Sequence, residues 1–138
     1  ESVLMKEQDK VLGTLDRLHE LGVSLAIDDF GTGYSSFSYL RKLRASVLKI
    51  DRSFIRELQQ ASDSLAIVSA MVQMARAMGL STLAEGVETE QQRQLLLDSG
   101  CQLAQGYWFA RPQPADDIAV LLRQGHLPLA AREDQAGP

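Results

Sequence analysis

Hydrophobic residues in this chain alternate between helical spacing and short unbroken runs, and a glycine usually separates the two. Over residues 4–21, leucine and valine recur about every 3.6 positions, which predicts a helix. Gly22 then predicts the end of that helix, and the apolar run Val23–Ile27 predicts a buried parallel strand. The order of helix, glycine and strand returns further along the chain. This repetition predicts consecutive βα units joined by right-handed crossovers.

The later part of the chain follows the same order of elements. In sequence, we predict a short helix over 36–43, a strand around Lys49, a helix from Ser62 to Gly79, a strand over 82–84, a helix from Thr89 to Gly100, a strand over 101–104, and a helix from Pro114 to Gly125. Thr89 and Gln92 have capping-box spacing, and Pro114 is predicted at the first helical position. Residues 128–138 show no periodicity and predict a disordered tail after one domain at 1–127.

Four predicted strands with about five helices form an α/β arrangement that corresponds to half of a (β/α)8 TIM barrel. A complete barrel of this type typically needs about 250 residues, whereas this chain has 138. An open half barrel would leave hydrophobic strand edges and an inner face uncovered. The alternative is a complete four-stranded doubly wound sheet.

Charge and composition exclude several classes of function. The net charge is −4, the pI is about 5.1, and basic residues cluster only at 41–44. Binding to a nucleic-acid polymer or to an anionic membrane surface needs a denser positive patch, and no apolar run has the length of a membrane span. Cys101 is the only cysteine, so no intramolecular disulfide can form, and we expect a cytoplasmic protein or a domain on the cytoplasmic face of an anchored one.

Polar side chains follow the predicted strands at the points where they end. These are Asp28 and Asp29, then Asp51, then Glu85, and finally Gln105, while Lys49 lies inside the strand that ends before Asp51. The carboxyl ends of parallel strands lie at one edge of a sheet, and α/β folds place their active sites there. Carboxylates beside a lysine and an amide indicate hard divalent cations and an anionic substrate.

Each of these residues also has a purely structural interpretation. The two aspartates could form a solvated turn before the next helix, and Lys49 could make an ion pair with Asp28 or Asp51. Glu85 could cap a helix, and the negative charge of Glu88 could interact favourably with the dipole of the helix that follows it. Gly106 allows the close approach of a ligand, and the adjacent aromatic residues 107–109 suit either base stacking or packing at the rim of a barrel.

Taken together, six blocks resemble a known family. The blocks are Glu1-Ser2, Asp28–Ser36, Leu48–Asp51, Glu85–Glu88, Gln105–Tyr107 and Pro112-x-Pro114. In this order and spacing they resemble the EAL-domain family, whose members are bacterial cyclic di-GMP phosphodiesterases. The resemblance implies a (β/α)8 barrel and hydrolysis of cyclic di-GMP to linear pGpG with Mg²⁺ or Mn²⁺. It also implies inhibition by Ca²⁺.

The resemblance implies a role for each matched residue. Asp28 would bridge two metal ions, Asp29 would bind the second, and Glu85 would hold a metal directly or through water. Lys49 would orient or polarise the attacking water, with Asp51 completing the metal or water shell. The remaining positions implied for the loop and the substrate are Glu1, which would anchor the loop, then Phe30, Gly31, Gly33, Ser35 and Ser36 in that loop, and Glu88 and Gln105.

The matched blocks resemble the carboxyl-terminal half of the family's domain. The Glu-Ala-Leu signature and two further metal ligands of the family are not in this sequence. We therefore expect an upstream half barrel and sensory or GGDEF-type domains as partners, with a homodimer as a further expectation, and we expect the chain to be inactive by itself. The alternative is a degenerate EAL module that binds cyclic di-GMP or a protein without cleaving anything.

Overall fold

Four parallel strands form a sheet whose spatial order follows the chain. The computed structural model describes residues 2–33, 40–58 and 62–125. Within them the strands are β1 (Ala26–Phe30), β2 (Val47–Ile50), β3 (Ser81–Glu85) and β4 (Leu103–Gln105), hydrogen-bonded in the order β1-β2-β3-β4. A doubly wound sheet reverses its strand order at a switch point, and this sheet does not. The unbroken order is that of a segment of a (β/α)8 barrel, as expected.

Helices connect the strands. They are α1 (Ser2–Glu20), α2 (Arg52–Glu57), α3 (Ser62–Ala77), α4 (Glu90–Asp98) and α5 (Ala115–Gln124). The predicted capping box of α4 is confirmed, because the Thr89 hydroxyl accepts from the Gln92 N–H while the Gln92 side chain accepts from the Thr89 N–H. None of the described helices has both the length and the apolar character needed to cross a membrane.

Several predicted boundaries are wrong. Strand β1 begins at Ala26 instead of Val23, and it therefore contains the aspartate pair instead of ending before it. Strand β4 begins at Leu103 instead of 101. Pro114 is the N-cap of α5 and not its first helical residue, and α2 was not predicted at all. Residues 41–43 of the predicted helix over 36–43 form a turn and bend. Residues 34–39 and the tail at 128–138 lie outside the described residues.

The hydrophobic core lies between the sheet and the helices α2 and α3. Both helices contact β3, and α3 also contacts β2. On β2, Leu48 and Ile50 are fully buried, and on β3, Thr82 and Ala84 are buried in the same alternating pattern. Because successive side chains on a strand point to opposite faces, the residues between them, including Lys49, lie on the face away from this core. The sheet therefore has a helix-covered outer face and an inner face on which Lys49 and Glu85 lie.

Leu48→Ala is expected to lower the free energy of unfolding by about 2–5 kcal/mol, because it leaves a cavity at a fully buried position. Leu122→Ala makes the same change on α5, where the side chain is 75% exposed, and should change stability by less than about 0.5 kcal/mol. Urea-induced unfolding of both variants measures the difference. Equal losses would contradict the placement of the core.

Candidate active site

Lys49 lies between two carboxylates on the inner face of the sheet. Its Nζ is 2.6 Å from Asp28 Oδ1 and 2.6 Å from Glu85 Oε1. The three residues come from β1, β2 and β3, which are adjacent in the sheet, so the side chains meet across neighbouring strands. The ion pair with Asp28 that the structural interpretation of Lys49 offered is present. The partners are Asp28 and Glu85, and no ion pair with Asp51 is formed among the described residues.

The two ion pairs fix the charge state of the lysine. The hydrogen bonds that Lys49 donates to Asp28 and then to Glu85 raise its pKa above the ordinary lysine value, and they outweigh the opposing effect of burial. The hydrogen bond from Lys49 likewise lowers the pKa of the Asp28 carboxyl. Lys49 is therefore an ammonium ion at neutral pH, and it can donate hydrogen bonds and supply positive charge but cannot accept a proton.

A bulge in β1 brings both aspartates to the site. Ile27 pairs with Leu48 and Phe30 pairs with Ile50, so β1 has one more residue than β2 over this stretch. Asp29 adopts a left-handed backbone conformation with φ of 49°, which aspartate tolerates better than most residues. Neighbouring strand residues normally point to opposite faces, and the bulge removes that restriction here.

Asp28, Asp29 and Glu85 form a cluster of potential metal ligands. One carboxylate oxygen from each residue lies within 4.8 Å of the others. Oxygen donors of this kind are the ligands preferred by Mg²⁺ and Mn²⁺. The resemblance to the EAL-domain family implies these three residues as metal ligands, and the structure brings them together.

Asp51 has other hydrogen-bond partners than the clustered carboxylates have. Its Oδ1 accepts from the backbone N–H of Ser53 at 2.9 Å and from the Ser53 hydroxyl at 2.5 Å, which makes it the N-cap of α2. These bonds lower the pKa of the Asp51 carboxyl. A helix-capping role, which was not predicted, thus accounts for one oxygen of this side chain.

The segment after β3 packs tightly against the end of β4. Glu85 pairs with Gln105 in the strand ladder, and Gln105 is exposed. A Cβ at Gly106, which has φ of 158°, would lie 2.2 Å from the Val87 carbonyl oxygen. The backbone of Val87 therefore fills the space that a side chain at position 106 would need. Glu88 follows and is exposed.

The aromatic residues beyond Gly106 divide between packing and solvent. Trp108 and Phe109 pack against the hydrophobic core, as the alternative of rim packing predicted. Tyr107 is 54% exposed, and the Arg111 guanidinium carbon lies 4.6 Å from the centre of its ring. Only Tyr107 among these three therefore presents its ring to solvent to a large extent.

The loop that follows β1 is described only in its first part. Phe30 packs against the core, and a Cβ at Gly31 (φ of 102°) would lie 2.5 Å from the Phe54 ring, so this position requires glycine. Gly33 is exposed, with no atom within 4 Å of an added Cβ. The predicted loop residues Ser35 and Ser36, and the predicted anchor Glu1, lie outside the described residues.

Comparison with known proteins gives a consistent family match. Residues 1–112 match the family model described as the EAL domain. The chain is 51% identical over 118 residues to the bifunctional diguanylate cyclase/cyclic di-GMP phosphodiesterase MucR of Pseudomonas aeruginosa, covering 86% of this chain and 17% of that protein. It is 46% identical over 138 residues to the cyclic di-GMP phosphodiesterase NbdA of the same organism, covering 100% of this chain and 17% of NbdA. The chain thus spans about a sixth of the length of these relatives.

Solved structures give the same match. The cyclic di-GMP complex of the PaMucR phosphodiesterase superposes with a TM-score of 0.77 at 51% identity, covering 83% of this chain and 46% of that one. The manganese and cyclic di-GMP complex of Klebsiella pneumoniae BlrP1 superposes with a TM-score of 0.69 at 36% identity, covering 75% of this chain and 26% of that one.

Proposed function

Because this chain belongs to the EAL domain family, we propose that the polypeptide carrying it hydrolyses cyclic di-GMP to linear pGpG with the help of two divalent cations. The observation that carries the proposal is the position of Lys49, 2.6 Å from both Asp28 and Glu85, beside a three-carboxylate cluster. A cluster of this composition suits a reaction in which negative charge develops on a phosphate.

The residues present fit hard divalent cations. Asp28, Asp29 and Glu85 would hold the ions, with Asp28 as the bridging ligand, and all three are oxygen donors. The ions would supply Lewis acidity toward the phosphate and lower the pKa of a bound water. Mg²⁺ or Mn²⁺ is the proposed cofactor. Ca²⁺ is expected to inhibit, because it prefers longer ligand distances and looser coordination than Mg²⁺ does.

The other residues would act around this cluster. Lys49, held as a cation, would orient the attacking water by hydrogen bonding and stabilise negative charge on the phosphate. Asp51 would contribute the carboxylate oxygen that does not cap α2. Gln105, at the carboxyl end of β4, and the exposed Glu88 would lie toward the substrate. The loop from Phe30 to Ser36, anchored by Glu1, would connect the metal site to a dimer contact.

The exposure of the two edge strands supports the proposal that further protein packs against this sheet. All three residues of β4 are exposed, and three of the five residues of β1 are exposed, although parallel strands are usually covered. We propose that further strands of the barrel pair with both edges and supply the ligands and substrate contacts missing from residues 1–138. The chain alone would then be inactive, and sensory or GGDEF-type domains would accompany it in the cytoplasm.

The test is an assay of cyclic di-GMP hydrolysis with two proteins in parallel, the longest natural polypeptide that contains this sequence and residues 1–138 alone. The longer protein should produce pGpG with Mg²⁺ or Mn²⁺, lose activity with EDTA or Ca²⁺, and regain it when Mn²⁺ is restored. The 138-residue chain should show no turnover. Binding of cyclic di-GMP by the longer protein without hydrolysis in any metal would indicate a degenerate binding module and overturn the proposal.

A further inference from the structure

Gln92 on α4 connects the two segments that carry Lys49 and Glu85. We infer that Gln92 is a positioning residue for the active site, one that holds the segment after Glu85 against the helix after Lys49; this inference rests on the proposed function. Gln92 would contact neither the substrate nor the metal ions. Its effect would come through the placement of Glu85 relative to Lys49.

The side chain of Gln92 uses both ends of its amide. The side chain is buried, with 5% of the residue exposed. Its Oε1 accepts from the backbone N–H of Glu88 at 2.8 Å and from that of Thr89 at 3.1 Å. Its Nε2 donates to the backbone carbonyl of Ile55 at 3.1 Å. One side chain therefore joins two backbone segments that are far apart in sequence.

On the first side, the bond to Ile55 leads back to Lys49. Ile55 lies in α2, which starts directly after β2 with Asp51 as its N-cap. Ile55 is fully buried in the core, so this short helix cannot move without disturbing the packing. The Ile55 carbonyl is thus a fixed point that belongs to the same βα unit as Lys49.

On the second side, the bonds to Glu88 and Thr89 lead back to Glu85. In the segment between Glu85 and Glu88, a Cβ at Gly86 would lie 2.7 Å from Arg52 Cβ. Val87 is fully buried, and its N–H donates to the Gln105 carbonyl at 3.0 Å. Gln92 therefore completes a set of contacts that leaves the backbone after Glu85 little freedom.

A helix cap alone does not require this arrangement. In a capping box the side chain three residues after the start of the helix needs only an acceptor, and glutamate serves as well as glutamine. The bond to Ile55 needs a donor as well, which glutamate at neutral pH does not provide. The second bond and the burial are therefore specific to glutamine, and they join the two units that form the site.

The experiment compares Gln92→Met and Gln92→Glu with Gln91→Met in the longest natural polypeptide containing this chain. Gln91 is the neighbouring exposed glutamine on the same helix, so its variant is a matched control. Mn²⁺ affinity is measured by calorimetry without substrate, and kcat and KM are measured for cyclic di-GMP, below the unfolding transition of each variant. Both Gln92 variants should lose about 10–100-fold in Mn²⁺ affinity or in kcat, and Gln91→Met should match the wild type.

The outcomes separate positioning from a purely structural role. Gln92 variants with reduced unfolding midpoints but unchanged Mn²⁺ affinity and kcat would overturn the inference. Should Gln92→Met not fold, Gln92→Glu decides, because it keeps the size and the acceptor oxygen while it replaces the donor to Ile55 with a charged carboxylate oxygen. A wild-type protein that neither binds Mn²⁺ nor hydrolyses cyclic di-GMP would overturn the proposed function itself.

Discussion

Glu85→Gln is expected to lower kcat for cyclic di-GMP hydrolysis by about 10³-fold or more in the complete enzyme, with weaker Mn²⁺ binding and an intact fold. Glutamine has the same size and shape as glutamate, so the packing around β3 should remain. The change removes the charge of one of the three clustered carboxylates, and it turns the ion pair with Lys49 into a hydrogen bond to a neutral amide oxygen. The ammonium ion keeps Asp28 as its charged partner.

Glu90→Gln is the matched control for this prediction. Glu90 is an exposed glutamate five positions later, and its described partner is Arg93 on the surface of α4. We expect kcat and Mn²⁺ affinity of this variant within about twofold of the wild type, because exposed ion pairs contribute little. Normal turnover by Glu85→Gln would show that Glu85 is only a structural partner of Lys49.

Lys49→Met is expected to reduce kcat by about 10²-fold while Mn²⁺ binds about five- to tenfold more tightly. In the structure the ammonium ion occupies oxygens of Asp28 and Glu85, which are the same carboxylates that would hold the ions. Removing this charge leaves the carboxylates to repel one another and removes the repulsion between lysine and an incoming cation. The loss of kcat follows because the developing charge on the phosphate loses a nearby cation.

Calorimetric titration with Mn²⁺ and steady-state kinetics on the same preparation measure the two effects. Lys42→Met provides the control, since Lys42 is exposed in the turn before β2 and should leave both values within about twofold. Weaker Mn²⁺ binding by Lys49→Met would mean that the lysine holds the carboxylates in place and does not compete with the ions. Unchanged kcat would remove Lys49 from the reaction.

The sequence predicted the parts of the fold that depend on local patterns. The periodicity of α1 and α3, the capping box at Thr89 and the alternation of βα units are all properties of nearby residues, and each is confirmed. A partner for Lys49 was also predictable, because a charged side chain within an apolar strand needs one, but the sequence offered Asp28 and Asp51 and not Glu85. The ladder order then brought Asp28 and Glu85 to either side of it.

Features that depend on distant contacts were not predictable. Two adjacent aspartates have low strand propensity, so β1 was placed too early, and only its pairing with β2 reveals the bulge. The six residues of α2 are too few for a periodic signal, although Asp51 and Ser53 were available as a cap. The bond from Gln92 to Ile55 spans 37 positions, and a local motif does not encode it.

The contact of Gly106 with Val87 limits the positions at which mutation can give this protein a new ligand preference. Because even a methyl group at 106 would overlap the neighbouring backbone, mutation at this position offers no route to a new ligand preference. Tyr107, the next residue, extends into solvent and is free of that restriction. Libraries intended to introduce ligand binding at this part of the surface should therefore randomise Tyr107 and Arg111, which contacts its ring, and keep the glycine fixed.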